Sequence, residues 1–387
     1  MRESRPRIVG TMIGDINKGT GASTKYGFFF DAISRCFPLV GVYNANLQGL
    51  DRLVNALRAV HPSQRLWRER FHKNIAAFEV RSQRVATYIE SIREQVDVAL
   101  QVGVLFDTCW NGLQIPNVIY TDYTAHLAAQ KPASGRSPFD AEQLWRWIEL
   151  ERRSFERAAH ICTRSRLVSQ SIIHDYGISP ERITVVGGGV NFSPLPEPVG
   201  HHDEDRPTVL FIGKDFFRKG GDLVLQAFAE SRRQVPGARL IFLTNDPIPD
   251  QLPTEGVEVI APTWKRDVIA RCYQRASVLV LPSRLETWGD VLLEAMIYGL
   301  PCIGVAGQAM QEIIINEETG LLVPPEDVSA LATALTRVLT NPTLRRRWGR
   351  RARQRAETEY TWEKVVDRSA EVIKAAASGS LRANRRG

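Results

Sequence analysis

Short apolar runs alternate with amphipathic stretches along the second half of the chain. The runs are apolar almost from end to end: Thr208–Gly213, Arg239–Thr244, Val257–Ile260, Ser277–Leu281 and Cys302–Val305. Strands with this pattern are buried on both faces, as in a parallel sheet that helices cover on each side. Between them, Arg266–Ala276 has helical periodicity, and Gly299 ends a predicted helix. The second half therefore predicts a series of βαβ units.

The first half repeats this pattern more loosely. Its predicted strands are Arg7–Gly10, Leu39–Tyr43, Val98–Val102, Asn117–Tyr120 and His160–Thr163. Apolar residues from Phe71 to Ile92 recur every three or four positions, which predicts one helical face. Residues 191–207 hold four prolines and little periodicity, as linkers do. We therefore expect an α/β protein of two domains, with a ligand cleft between them at the carboxyl ends of the strands.

Composition excludes several classes of protein. The chain has 387 residues, of which 43% are hydrophobic and 24% charged, as in ordinary globular proteins. Its five cysteines are scattered without a CxxC pair, so neither a disulfide framework nor a zinc site is predicted. No apolar segment has the length of a signal-peptide core or of a membrane span, and we expect a cytoplasmic location.

The strongest chemical pattern lies in residues 281–301. A predicted buried strand ends at Pro282, and a helix is predicted to begin between Trp288 and Asp290. Backbone N–H groups at a helix start favour a bound phosphate, and Gly289 would let a ligand approach the backbone closely. This segment therefore predicts an anion site at the carboxyl end of a strand.

Two carboxylates accompany this anion site. Glu286 precedes the predicted helix, and Glu294 lies within it, where a carboxylate can accept two hydrogen bonds from a ribose diol. The structural alternative is that Glu286 caps the helix and Glu294 forms a surface ion pair.

A glycine turn with three cations follows the first strand of the second half. Residues 213–221 read Gly-Lys-Asp-Phe-Phe-Arg-Lys-Gly-Gly, which places Lys214, Arg218 and Lys219 near the carboxyl end of that strand. Cations in this position can neutralise a diphosphate. A solvated basic loop is the alternative.

Together these motifs resemble the signature of glycosyltransferase family 4, whose members are retaining enzymes with the GT-B fold. The matching features are Glu286 and Glu294 in the spacing E-x7-E, Gly289 after an aromatic residue, and Gly299-x-Pro301. The resemblance is specific over roughly residues 160–365 and weak over 1–159. Lys214 stands where the family usually has arginine, and Lys219 where it has lysine.

The resemblance implies a GT-B fold of two Rossmann-like, doubly wound domains. The acceptor domain would span residues 1–190, a linker 191–207, and the nucleotide-sugar donor domain 208–360. A helix over 361–377 would cross back to the first domain. Residues 378–387 are expected to be a disordered tail.

Site roles follow from the same resemblance. Lys214, Arg218, Lys219 and the helix start at Trp288, Gly289 and Asp290 would hold the donor diphosphate, and Lys219 is also a catalytic candidate. Glu294 would bind the ribose, and catalytic Glu286 would bind sugar hydroxyls or stabilise positive charge at the sugar. Neither a metal ion nor a cofactor is expected besides the donor.

The first domain departs from the family pattern. Gly19 and Gly21 form a glycine-rich turn after the first strand, and the resemblance implies that one of them faces the donor phosphates or the acceptor. Asp122 stands where the family often has a histidine, and could accept a sugar hydroxyl or act as a catalytic base. His126 is the nearest histidine and could take the place of the family's histidine. A helix-cap or core role is the equal alternative for His126.

The expected activity is transfer of a hexose from a nucleotide-diphosphate sugar to a hydroxyl acceptor, with retention of anomeric configuration. A sugar-phosphate synthase or phosphorylase of the same architecture is the alternative within this fold. A basic nucleic-acid-binding protein is the alternative of another class, although helix-turn-helix, RRM-type and zinc signatures are absent, so we expect no nucleic acid partner.

Net charge is +7, and it is concentrated in two stretches. Residues 52–84 carry eight cations against two acids, and residues 343–387 carry thirteen against five. In Gln64–Lys73 aromatic residues alternate with cations, as in helices that lie on anionic membranes. Our hypothesis is a lipid-linked or cell-envelope acceptor, with peripheral contact at the inner face of the plasma membrane. Solubility alone is the alternative for this charge.

Overall fold

The computed structural model describes residues 5–18, 22–131, 137–199, 206–261, 263 and 265–380. The chain divides into two compact units. The first unit contains Met1–Gly189 and Trp362–Gly387, and the second contains Val190–Thr361.

The first unit is built on a parallel sheet of six strands. These are β1 (Ile8–Met12), β2 (Leu39–Asn44), β3 (Val98–Val102), β4 (Asn117–Thr121), β5 (His160–Thr163) and β6 (Ile183–Val185), in the order β2-β1-β3-β4-β5-β6. Among the described residues, seven helices lie between successive strands of this sheet: α1 (Ala22–Cys36), α2 (Gly49–Arg58), α3 (Gln64–His72), α4 (Ile75–Ser91), α5 (Ala125–Ala129), α6 (Ala141–Arg157) and α7 (Arg166–His174).

Helices cover both faces of this sheet, which explains why its strands are apolar without alternation. Ile8 packs in one cluster with Phe29 of α1, and its neighbour Val9 packs in another with Val85 and Ile89 of α4. Because successive residues of a strand point to opposite faces, both must be apolar.

The helix expected over residues 71–92 is divided in two. Helix α3 ends at His72, and α4 begins at Ile75 after Asn74. The Asn74 side chain accepts a hydrogen bond from Ala77 N at 2.9 Å, so it caps α4. The sequence predicted one helix because the apolar residues keep their three-to-four spacing across the break, and this spacing does not reveal a helix cap.

The second unit contains a second parallel sheet. Its strands are β7 (Thr208–Ile212), β8 (Arg239–Leu243), β9 (Val257–Ile260), β10 (Val278–Val280), β11 (Cys302–Val305) and β12 (Gly320–Val323), in the order β12-β11-β10-β7-β8-β9. Its helices are α8 (Gly221–Arg232), α9 (Arg266–Arg275), α10 (Asp290–Ile297), α11 (Met310–Ile313), α12 (Val328–Leu339) and α13 (Pro342–Glu359), after which α14 (Trp362–Ala377) belongs to the first unit. The predicted α/β class, with two doubly wound parallel sheets, is confirmed.

The proline-rich segment after Val190 packs on the second unit. Val199 N donates to Tyr298 O at 2.8 Å, and the Phe192 and Tyr298 rings meet edge to face at 5.8 Å. Arg266 donates to Asn191 O at 3.1 Å. Residues 191–199 therefore form part of the surface of this unit.

Several arginines of the basic stretch 343–387 close helix ends. Buried Arg345 donates to Val338 O at 2.9 Å and also to Leu339 O, the last carbonyls of α12. Arg353 donates to Ile297 O at 2.8 Å, at the end of α10. Carbonyls at a helix C-terminus lack partners within the helix, so these guanidinium groups satisfy them. Part of the positive charge is thus structural.

Among the described residues, no helix is both long and apolar enough to cross a lipid bilayer.

We predict that Arg345→Met destabilises the protein by about 2–4 kcal/mol, because buried carbonyls of α12 lose their donor. Arg350→Met is the matched control, since Arg350 is exposed on the same helix and should change the unfolding free energy by less than about 0.5 kcal/mol. Urea unfolding followed by circular dichroism measures both variants. Equal shifts of the two midpoints would contradict the capping role.

Candidate active site

Strands β7 and β10 are neighbours in the second sheet and run parallel. Val278 pairs with Val209, and Leu279 with Leu210. The loops that follow the two strands therefore leave the sheet at the same edge. They span residues 213–220 and 281–289 and carry most of the predicted site residues of this unit.

Hydrogen bonds join these two loops. Arg284 N donates to Arg218 O at 2.8 Å, and the Arg284 guanidinium donates to Phe217 O at 2.6 Å. The same guanidinium holds Asp222 of α8 through two bonds of 2.7 and 2.8 Å. A forked pair of this kind fixes both distance and orientation.

Gly220 allows the close approach of the two loops. It adopts a left-handed conformation, with φ of +74°, at the start of α8. A Cβ atom at this position would lie 2.2 Å from Pro282 O. Glycine is therefore required here both for the backbone angle and for the space.

Lys219 and Glu286 meet between these loops. Lys219 Nζ donates to Glu286 Oε2, and Ser283 Oγ donates to the same oxygen at 3.3 Å. The two charged side chains are only 15% and 9% exposed, so water screens their attraction weakly. Two residues far apart in sequence thus form one charged centre.

A third loop forms a hydrogen bond with the backbone of Glu286. Glu286 N donates to Gln308 Oε1 at 3.2 Å, and Gln308 Nε2 donates to Arg284 O at 3.3 Å. Gln308 follows β11, the other neighbour of β10. Sequence reasoning missed Gln308 and Ser283, because neither residue type has a spacing that distinguishes it; the adjacency of β11 to β10 is the signal that could have found Gln308.

The other two cations of the glycine turn differ in their surroundings. Arg218 is 4% exposed, and its guanidinium donates to Asp215 at 2.8 Å and to Leu285 O at 3.1 Å. It therefore braces the loop. Lys214 is half-buried; burial lowers the pKa of its amine, and nearby Asp215 opposes that shift.

The helix start after Glu286 agrees with the predicted position. Gly289 precedes α10 with φ of +110°, and Asp290 is the first helical residue. The Trp288 ring is buried in the core, 5.8 Å from the Tyr360 ring. Only the backbone of Trp288 is therefore placed to contribute to an anion site.

Glu294 projects from α10 into an aromatic setting. Tyr273 OH donates to Glu294 Oε2 at 2.8 Å, and the Tyr273 ring stacks on Tyr298 at 5.0 Å. The enclosed position raises the pKa of Glu294 to about 7, although the bond from Tyr273 opposes the shift; Asp290 adds to it. Glu294 can therefore change its protonation state near neutral pH.

In the first unit, Asp122 follows β4 and is held by two cations. Lys25 Nζ donates to Asp122 Oδ2 at 2.7 Å, and Arg164 lies 3.6 Å from the same oxygen. His126 lies on α5, and its Nε2 is 3.5 Å from Asp175 instead. Asp122 and His126 thus have separate partners. Gly19 and Gly21 lie outside the described residues.

Metal-ligating side chains are dispersed: over the described ranges, no three His, Cys, Asp or Glu residues are grouped so that they could hold an ion.

A known family model matches part of the second unit. Residues 197–355 match the family model described as glycosyl transferases group 1. The matched range covers less than half of the chain and includes both loops and α10.

Two curated relatives show how far the sequence similarity reaches. Glycogen synthase of Mycobacterium tuberculosis is 29% identical over 227 residues, which cover 57% of this chain and 55% of that protein. The chain thus spans about half the length of that relative. D-inositol 3-phosphate glycosyltransferase of Kineococcus radiotolerans is 27% identical over 308 residues, covering 71% and 69% of the two chains.

Solved structures agree in fold over nearly the whole chain. Sucrose-phosphate synthase from Thermosynechococcus elongatus has a TM-score of 0.73 at 19% identity, covering 97% of this chain and 100% of that one. HepE from Anabaena, solved with UDP-glucose, has a TM-score of 0.66 at 13% identity, covering 96% and 100%. These similarities support the GT-B fold. Over residues 197–355, the second unit of this protein is thus similar in sequence to the group 1 glycosyl transferases.

Proposed function

We propose that this protein transfers a hexose from a nucleotide-diphosphate sugar to a hydroxyl acceptor, with retention of configuration and without a metal ion. The observation that carries the proposal is the buried pair of Lys219 and Glu286 at the carboxyl edge of the second sheet. HepE, a structural neighbour, was solved with UDP-glucose, which supports a donor of this class.

The charges of this centre suit the two parts of a departing donor. As the sugar–phosphate bond breaks, negative charge grows on the diphosphate and positive charge on the sugar. Lys219, together with Lys214 and the N-terminus of α10, is proposed to stabilise the phosphates. Glu286 is proposed to bind sugar hydroxyls or to stabilise the positive sugar carbon. Arg218 acts indirectly, since it braces the loop that carries Lys219.

Glu294 is proposed to bind the ribose of the donor. Its carboxylate already accepts one bond from Tyr273 and has capacity for more. A carboxylate accepts two hydroxyl hydrogen bonds better than the protonated acid does, so this role depends on the ionisation of Glu294.

Asp122 is proposed to act on the acceptor side. Its carboxylate is oriented by Lys25 and Arg164, and it is 29% exposed, so an acceptor hydroxyl can reach it. His126, Gly19 and Gly21 remain predictions for the same substrate region.

The acceptor is proposed to be lipid-linked, because the first unit presents an apolar helix face to solvent. On α2, Leu50, Leu53 and Leu57 are 74%, 64% and 75% exposed and lie on one side of the helix. Arg52 and Arg58 are exposed on the same helix. An apolar stripe beside cations matches an anionic membrane surface, as an interfacial helix requires.

The catalytic proposal predicts that Lys219→Met and Glu286→Gln each slow donor cleavage by about 100-fold or more. UDP-, GDP- and ADP-sugars are first ranked by the shift in thermal midpoint that each causes. The rate of UDP release from UDP-glucose, with water as acceptor, then measures donor cleavage. Lys265→Met, an exposed lysine of the same unit, is the control. Rates within twofold of the parent for both site variants would refute the roles, and sugar 1-phosphate formation with added phosphate would favour a phosphorylase.

The ribose proposal predicts pH-dependent donor binding. With a pKa of about 7, Glu294 is mostly protonated at pH 6 and mostly ionised at pH 8, so the affinity for UDP-glucose should rise roughly tenfold between them. Isothermal titration across this range measures it.

Two variants make the pH test specific. Glu294→Gln keeps an oxygen for Tyr273 but should bind weakly and without pH dependence. Glu258→Gln is the control, because its pairing with Arg275 lowers the pKa of that carboxyl and keeps it ionised throughout. An unchanged pH profile in Glu294→Gln would exclude this carboxylate from ribose binding.

The membrane proposal predicts that the double variant Leu53→Ser, Leu57→Ser binds vesicles of phosphatidylglycerol at least about tenfold more weakly, since two exposed leucines lose apolar contact with lipid. Leu195→Ser, an exposed leucine of the second unit, is the matched control. Vesicle flotation measures binding. If the parent protein does not float with these vesicles, or if the control loses as much, the α2 face is not a membrane surface.

A further inference from the structure

A basic pocket lies in the first unit, and its lining residues are different from those assigned to sugar transfer. It has a volume of about 270 Å³ and lies among the end of α2, the end of α3, the start of α4 and the first half of α6. Four cations line it: Arg58, Arg70, Lys73 and Arg146. No carboxylate is among its lining residues.

Three of these cations stand apart from the ion pairs formed among the described residues. Within the described ranges, no carboxylate lies within salt-bridge distance of Arg58, Arg70 or Arg146. Elsewhere in this unit arginines pair readily, as Arg84 does with Asp51 and Arg157 with Asp107. Converging arginines repel one another, and this cost is offset when an anion sits between them.

Arg70 adds a second observation that favours an anion in this pocket. Its Nε is buried and has no hydrogen-bond partner among the described atoms. A buried donor without an acceptor costs free energy, and the structure normally supplies a partner. A guanidinium presents its N–H groups in a planar fork, which fits the oxygens of a phosphate.

The remaining polar residues of the lining support the same chemistry. Lys73 is already engaged, with Glu69 at 3.2 Å and with Tyr123 OH at 3.2 Å, so it adds a nearby donor held in place. Gln143 contributes an amide group to the wall. The pocket thus combines several donors with an excess of positive charge.

We propose that this pocket is a binding site for a phosphate group, held by Arg58, Arg70 and Arg146. The ligand is a phosphate monoester or diester, which a soluble molecule or a lipid headgroup can supply. Sugar transfer is not part of the proposal, so its failure would leave the proposed transfer reaction untouched.

The experiment measures binding alone, at low ionic strength, on the full chain. Inorganic phosphate and glycerol 3-phosphate are titrated by calorimetry, and flotation compares vesicles of phosphatidylglycerol with vesicles of phosphatidylcholine. The variants are Arg58→Gln, Arg146→Gln and their combination. Arg153→Gln is the matched control, because it removes the same charge from the exposed side of α6 without touching the pocket.

We expect the double variant to weaken binding of at least one phosphate probe by about tenfold or more, with Arg153→Gln within about twofold of the parent. Loss for the soluble phosphates identifies a soluble ligand; loss confined to phosphatidylglycerol vesicles identifies a lipid headgroup. The proposal is overturned if no probe binds at millimolar concentration. It is also overturned if Arg153→Gln weakens binding as much as the pocket variants, since the effect would then come from the overall charge of the surface.

Discussion

The parallel pairing of β7 with β10 is the constraint on which the chemistry of the second unit depends. Because the two strands are adjacent and point the same way, their loops leave one edge, and Lys219 meets Glu286 across 67 positions of sequence. Arg284 bonds the loops together, and Gly220 lets them approach to a distance that any side chain would prevent. Each of these contacts presupposes the strand order. A buried ion pair is costly to form, so such rigid support is what keeps its charges in place.

Most of this fold could be predicted from the sequence, because strands buried on both faces appear as unbroken apolar runs. Lys219 was also singled out from the glycine turn, and Glu286 and Glu294 from their shared motif. What the motifs could not give is which loops touch, since that depends on strand order. Gln308 was missed for this reason: it follows β11 and acts only because β11 lies beside β10.

The direction in which a helix faces was equally hidden from the sequence. The leucines of α2 have the spacing of an ordinary buried face, yet they point to solvent. Periodicity defines a stripe but not what covers it, because a stripe has the same spacing against a core as against a membrane. The break at Asn74 was hidden too, since a cap acts through one hydrogen bond and leaves the apolar spacing intact.

The positive charge of the chain has two physically different uses. On α13, buried Arg345 and partly buried Arg353 donate to the carbonyls that end α12 and α10, so their charge serves the stability of the second unit. In the first unit, Arg58, Arg70 and Arg146 line a pocket that has no carboxylate among its described lining residues. A guanidinium that closes a helix end satisfies backbone acceptors, whereas guanidinium groups that line one pocket raise its local potential. Only the second arrangement has a reason to attract an anion, and only the structure separates it from the first.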